Sequence, residues 1–121
     1  MRWLSKADED LAVADLVLNS VIAVNWAACF HAQQAAEKAI KALLVLHGVD
    51  FPLSHSLDRL AALLPTQTAS LLNHATLADL TPWAVSGRYP EDIATPSIDH
   101  TRAVVDAART VVATAKNVVS C

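Results

Sequence analysis

The sequence predicts an all-α protein, an antiparallel up-and-down bundle of four main helices plus one short helix. Three observations carry this reading. Alanine makes up about a fifth of the chain, while there are only 2 glycines and 5 prolines, too few turn formers for a β-sandwich or barrel. Apolar residues recur at three- and four-residue steps in long blocks, the spacing of one helix face. Hydrophobic residues are 54% of the chain and charged residues 17%, so there is enough apolar surface to close a core and to exclude a disordered chain. At 121 residues, with no linker or internal repeat, the expectation is one helical domain over 1–121.

The first helix is expected from Ser5, which would cap it. Asp8, Glu9 and Asp10 follow, where the helix dipole favours negative charge. Leu4, Ala7, Leu11, Ala14 and Leu18 form its apolar stripe, and Asn19-Ser20 would end it. The second helix, Val24 to His47, is the longest, and Gly48 suits a left-handed cap at its end. On a helical wheel Trp26, Phe30, Glu37, Ile40 and Leu44 fall on one side. Ala28, Ala32, Ala35, Ala39 and Leu46 fall on another, where small side chains allow close approach of a neighbour. A helix apolar around most of its circumference is buried around most of it, which makes this the central helix.

After the loop 49–53, Ser54 or Ser56 would cap a short third helix through Leu57, Leu60, Leu63 and Leu64, stopped by Pro65. A fourth helix is expected from Thr68 to Leu80, with Leu71, Ala75 and Ala78 on one side and Leu72, Leu77 and Leu80 pointing elsewhere. Thr81-Pro82 would end it. Residues 82–96, PWAVSGRYPEDIATP, are the longest irregular stretch, of the kind that more often carries function than decoration. The last helix would start at Thr95-Pro96, a cap followed by proline at the first helical position. Its apolar face runs from Ile98 through Val104, Val105, Ala108, Val111, Val112 and Ala115 to Val118 and Val119. Asp99, Arg102, Asp106 and Arg109 are spaced for ion pairs.

Net charge is −3 and the isoelectric point about 5.9, which excludes a strongly basic nucleic-acid coat but not a local basic strip. Cys29 and Cys121 are the only cysteines, distant from each other, and read as a buried and a tail thiol of a reduced, cytoplasmic protein. The opening MRWLSKADED has no apolar signal core. The most apolar stretch, residues 21–47, is broken by His31, Glu37, Lys38 and Lys41, so no membrane span is expected.

Two places offer chemistry. His31, Gln34, Lys38 and Lys41 share one strip of the second helix and would suit an anionic, hydrogen-bonding ligand such as a nucleotide. The alternative is a solvated face with Glu37 and Lys41 as a helical ion pair. In Ser86-Gly87-Arg88-Tyr89-Pro90, Arg88 offers a planar fork for phosphate and Tyr89, the only tyrosine, a stacking face. The alternative is that both clamp the loop onto the bundle. His31, His47, His55, His74 and His100 show no metal-ligand spacing, so no metal or cofactor is expected, and His55-Ser56 reads as a helix-start cap rather than a nucleophile pair.

These residues together resemble the HEPN domain family. The resemblance is carried by WLSKADEDLAVADLVL, by FHAQQAAEKAIKALLVLHG, by HSLDRLAALL and by GRYP before the final helix, in that order and over nearly the whole chain. It implies a helical bundle that forms a homodimer and does nucleotide- or RNA-related work, often beside a small nucleotidyltransferase partner in prokaryotes. It places Arg88 and Tyr89 in the family's loop motif and His31, Gln34, Lys38 and Lys41 at polar positions of its second helix. Many members are ribonuclease toxins with an arginine, four to six residues, then a histidine. After Arg88 the corresponding positions hold Ile93, Ala94 and Thr95, and His100 lies twelve residues on. Metal-independent RNA cleavage needs a general acid and base, for which histidine is the usual choice. The expected function is therefore a non-catalytic nucleotide- or RNA-binding module, in a toxin–antitoxin-like setting. The alternatives are a ribonuclease using Arg88 with His100 or with a histidine of the second subunit, and a structural helical adaptor without a small ligand.

Overall fold

The computed structural model describes residues 2–22, 24–84 and 96–120. These form helices α1 (Arg2–Leu18), α2 (Asn25–Leu46), α3 (Leu57–Ala61), α4 (Thr66–Ala69), α5 (His74–Leu80) and α6 (Ile98–Ser120), with a 3₁₀ turn at Thr81–Trp83 after α5. No strand occurs among the described residues.

Side-chain pairings fix the helix directions. Trp3 lies by Phe51 just beyond α2, and Asp10 meets His31, so α1 and α2 are antiparallel. Asp15 pairs with Arg109 and Asp8 with Lys116, so α1 and α6 are antiparallel too. Asn25 donates to the Pro96 carbonyl, so α2 and α6 start at the same end and run parallel. The leg through α4 and α5 returns against α6, with Leu71 beside Val118 and Leu80 beside Val104. The path is up, down, up, down, with the third leg broken into short pieces.

The core follows from the apolar stripes. Leu4, Ala7, Leu11 and Ala14 of α1 are buried against α2. On α2 the alanines 28, 32, 35, 36, 39 and 42 are all fully buried beside Ile40, Leu43 and Leu44. On α6 the buried line is Val104, Val105, Ala108, Val111, Val112 and Ala115, while Ile98 is exposed. Burial pushes the Cys29 thiol up from its ordinary pKa, partly opposed by its hydrogen bond with Thr101. It stays protonated and packs as a small apolar group.

Several boundaries differ from the sequence expectation. Helix α1 already runs at Arg2, so Ser5 sits inside it rather than capping it. Leu4 is buried and Trp3 packs edge-on to Phe51, and that packing holds the extra turn. The expected helix from Thr68 to Leu80 is two short helices, because Asn73 accepts a hydrogen bond from the Thr76 N–H and starts α5 afresh. The break shifts the helical phase: Leu72, Leu77 and Leu80 are buried, and Leu71, Ala75 and Ala78 are exposed. Pro65 precedes α4 rather than only ending α3. The cap of α6 is Ser97, which accepts from the His100 N–H at 3.0 Å, two residues later than Thr95. Thr95 itself lies outside the described residues.

Ser56 caps α3 as expected, accepting from the Arg59 N–H. Gly48 ends α2 at φ +67 in a Schellman arrangement, with Gly48 N–H donating to Val45 O and Val49 N–H to Leu44 O. A Cβ at Gly48 would meet no atom within 4 Å, so only the left-handed backbone opposes a side chain there. Gly48→Ala is expected to cost about 1 kcal/mol, read as a lower urea midpoint at unchanged slope.

Candidate functional site

Helix α2 carries the polar strip, and its neighbours decide what each member does. Asp10 of α1 receives two of them: His31 Nδ1 lies 3.0 Å from Asp10 Oδ1, and Lys38 Nζ donates to Asp10 Oδ2. Lys41 turns the other way. Its Nζ lies 3.0 Å from Glu37 Oε2 and sits 5.5 Å from the Trp3 ring centre and 5.6 Å from that of Phe51. Gln34 donates to the side-chain oxygen of Gln33 at 2.7 Å. The four residues therefore do not face one ligand space, and both ammonium groups are matched by carboxylates within the fold. The helical ion pair of Glu37 and Lys41 forms as the alternative expects, but it is buried, at 4% and 11% side-chain exposure, rather than solvated.

Glu37 is the centre of a second network. Its Oε1 accepts from His55 Nδ1 at 2.8 Å and from Gln33 Nε2 at 3.4 Å, while Gln33 Nε2 also donates to the His55 carbonyl at 3.0 Å. A carboxylate removed from water needs donors of this kind on both oxygens. The network ties the middle of α2 to the segment leading into α3. It holds His55 by ring and by backbone, so His55 and Ser56 form no nucleophile pair. The signal that marks this network is Glu37 itself, a carboxylate on an otherwise apolar side of the wheel. Asp10 carries no comparable signal, since acids near a helix start are ordinary.

Exposed ion pairs line the seam between α1 and α6: Asp8 with Lys116 and Asp15 with Arg109. The Asp15 hydrogen bond raises the Arg109 pKa further above its ordinary value. Such exposed pairs contribute little to stability. Of the spacing expected along α6, only Asp106 and Arg109 come close, at 4.0 Å.

His100 stands on the first turn of α6 with its ring 5.9 Å from that of Trp83, tilted by 51°. The other histidines are engaged: His31 with Asp10, His47 with Thr68, His55 with Glu37 and His74 with Asp58. The His100 ring nitrogens have no hydrogen bond or ion pair among the described residues. Beside it, Thr76 and Asp79 of α5 and Ala103 and Ala107 of α6 line a groove. Arg88 and Tyr89, with the rest of the SGRYP segment, lie outside the described residues. Among the described residues no three His, Cys, Asp or Glu side chains converge as metal ligands. Among them, too, no helix is long and apolar enough to cross a membrane.

Comparison with known proteins places this geometry. A search of curated proteins finds no match. Among solved structures, TT1696 from Thermus thermophilus is similar with a TM-score of 0.76 and 25% identity, over 96% of this chain and 94% of that one. ST0689, an archaeal HEPN homologue, is similar in fold with a TM-score of 0.74 and 23% identity, over 96% and 93% of the two chains. The HEPN domain model matches residues 1–120. A bundle with this order of legs, matched by that model over nearly its full length, belongs to the HEPN family.

Proposed function

We propose that this chain is a non-catalytic nucleotide- or RNA-binding module of a single HEPN domain. It acts as a homodimer beside a nucleotidyltransferase partner, in a toxin–antitoxin-like setting, and Arg88 and Tyr89 hold the ligand. The observation that carries binding over cleavage is the residue order after Arg88. Ile93, Ala94 and Thr95 stand where the ribonuclease pattern needs its histidine, and none can transfer a proton near neutral pH. Arg88 becomes the preferred anion anchor once Lys38 and Lys41 are seen to be matched by Asp10 and Glu37. The homodimer is supported by Leu16, Val21, Ile22 and Trp26, large apolar residues exposed around the turn from α1 to α2. No charged residue occurs from Leu16 to Phe30, which suits the dry centre of an interface.

Thermal shift with nucleotides and short RNAs tests the reading. A ligand at about a hundred times its Kd adds about 2.7 kcal/mol, a shift of several degrees for a domain of this size. The shift is expected in the wild type and absent in Arg88→Ala. A wild-type protein unmoved by any nucleotide or RNA sinks the proposal. The second reading, a ribonuclease, is favoured by one feature: His100 is exposed, and its ring nitrogens have no hydrogen bond or ion pair among the described residues. It requires RNA cleavage in EDTA that His100→Ala abolishes.

A further inference from the structure

The groove between α5 and the first turns of α6 brings three polar groups to one apolar floor. Thr76 and Asp79 of α5 stand on one side and His100, Ala103 and Ala107 of α6 on the other, with Leu80 and Val104 completing the lining. Neither the Asp79 carboxylate nor the Thr76 hydroxyl has a hydrogen bond or ion pair among the described residues. The two alanines are one helical turn apart, and their short side chains leave the depth of the groove open. Trp83 packs against the ring of His100 and limits where that imidazole can swing.

The chemistry of this lining selects its ligand. An anion is disfavoured beside an unneutralised carboxylate. A flat ring can lie along the alanine methyl groups beside the imidazole, and N–H groups on that ring would satisfy Asp79. Resting on the nucleotide-or-RNA reading above, we infer that this groove binds a nucleobase, and guanine in particular. Guanine carries two neighbouring N–H donors, N1–H and N2–H, that one carboxylate accepts together. Adenine and cytosine offer an amino group next to a ring acceptor, which a carboxylate repels. In uracil the N–H stands between two carbonyls, with the same result. Proteins commonly read unpaired RNA bases along this edge while stacking on their faces.

Titration calorimetry on the full chain tests this with guanosine, GMP, IMP and AMP. Guanosine and GMP are expected to bind alike, and both more tightly than AMP. IMP, which lacks the 2-amino group, is expected about tenfold weaker, the size of one hydrogen bond to a charged group. Asp79→Asn should remove the preference for GMP, and Ala107→Leu should weaken all four ligands by filling the floor. Asp79 is exposed and has no partner among the described residues, so its replacement leaves the fold intact. Equal binding of GMP, IMP and AMP, or a GMP preference that survives Asp79→Asn, overturns the groove. The failure of the Arg88 reading looks different. If guanosine and GMP bind alike, depend on Asp79 and ignore Arg88→Ala, the groove stands and the Arg88 anchor falls. If all three monophosphates bind alike and only Arg88→Ala abolishes them, the anchor stands and the groove falls. Absence of heat from all four ligands overturns the groove.

Discussion

Glu37→Ala is expected to destabilise the protein by about 3–5 kcal/mol, the cost of removing one partner from a buried ion pair. Glu37 is buried on the central helix and is the acceptor for Lys41, His55 and Gln33 at once. Its loss strands the Lys41 ammonium, which is only 11% exposed and is held between Trp3 and Phe51. The attraction of a cation to two ring faces is worth about 1–2 kcal/mol and does not replace a carboxylate. His55 can turn to water, because its side chain is 57% exposed, so the damage concentrates on Lys41. For a domain of this size the loss lowers Tm by more than about 10 °C. Replacing the pair together, as Glu37→Leu with Lys41→Met, should recover most of it, since apolar residues of similar volume commonly match a buried pair. Urea denaturation of the three proteins is the measurement. A loss in Glu37→Ala below about 1 kcal/mol would mean that water screens the pair, as it does the exposed Asp8–Lys116 pair.

The same residue shows how far the sequence could be read. Periodicity reports the face of one helix, and it found most of the buried positions of α1, α2 and α6, although Trp26 and Leu46 of α2 and Ile98 of α6 are exposed. It also placed Glu37 among Trp26, Phe30, Ile40 and Leu44. It could not say that His55, eighteen positions away, supplies the compensating donor, because that contact depends on how the loop returns. The partners of the strip from His31 to Lys41 were hidden for the same reason. Spacing aligned the four side chains, but Asp10 on another helix claims two of them and Glu37 a third. Local capping chemistry was legible where no tertiary force competed, at Gly48 and Ser56. At Ser5 it was overridden, because burying Leu4 and packing Trp3 outweighs a cap of about 1 kcal/mol. The groove at Asp79 left no trace in the sequence, since it is made by two legs whose pairing no short motif records.

Leu77→Ala and Leu71→Ala form the second test, and their expected effects differ by several kcal/mol. A continuous helix from Thr68 to Leu80 would put Leu71 on the stripe with Ala75 and Ala78 and turn Leu77 away. With the break at Asn73, Leu77 is 0% exposed and Leu71 is 57% exposed. Truncating a fully buried leucine costs about 2–5 kcal/mol, because the transfer energy is lost and a cavity remains. Leu77 lies near the site where Thr81 joins the legs: Thr81 Oγ1 donates to the Leu77 carbonyl and accepts from the Leu57 N–H. Its surroundings are tied to two helices and cannot easily collapse into the space, which puts the cost toward the upper half of that range. Leu71→Ala removes an exposed side chain and should stay within about 0.5 kcal/mol of wild type. Leu77 also stands on the leg that carries Thr76 and Asp79. Leu77→Ala should therefore reduce guanosine binding as well as stability, while Leu71→Ala leaves both unchanged. Equal losses of stability in the two variants would mean that residues 68–80 keep one helical phase in solution. Thr76 and Asp79 would then be rotated relative to α6, and the fold and the groove would fail together.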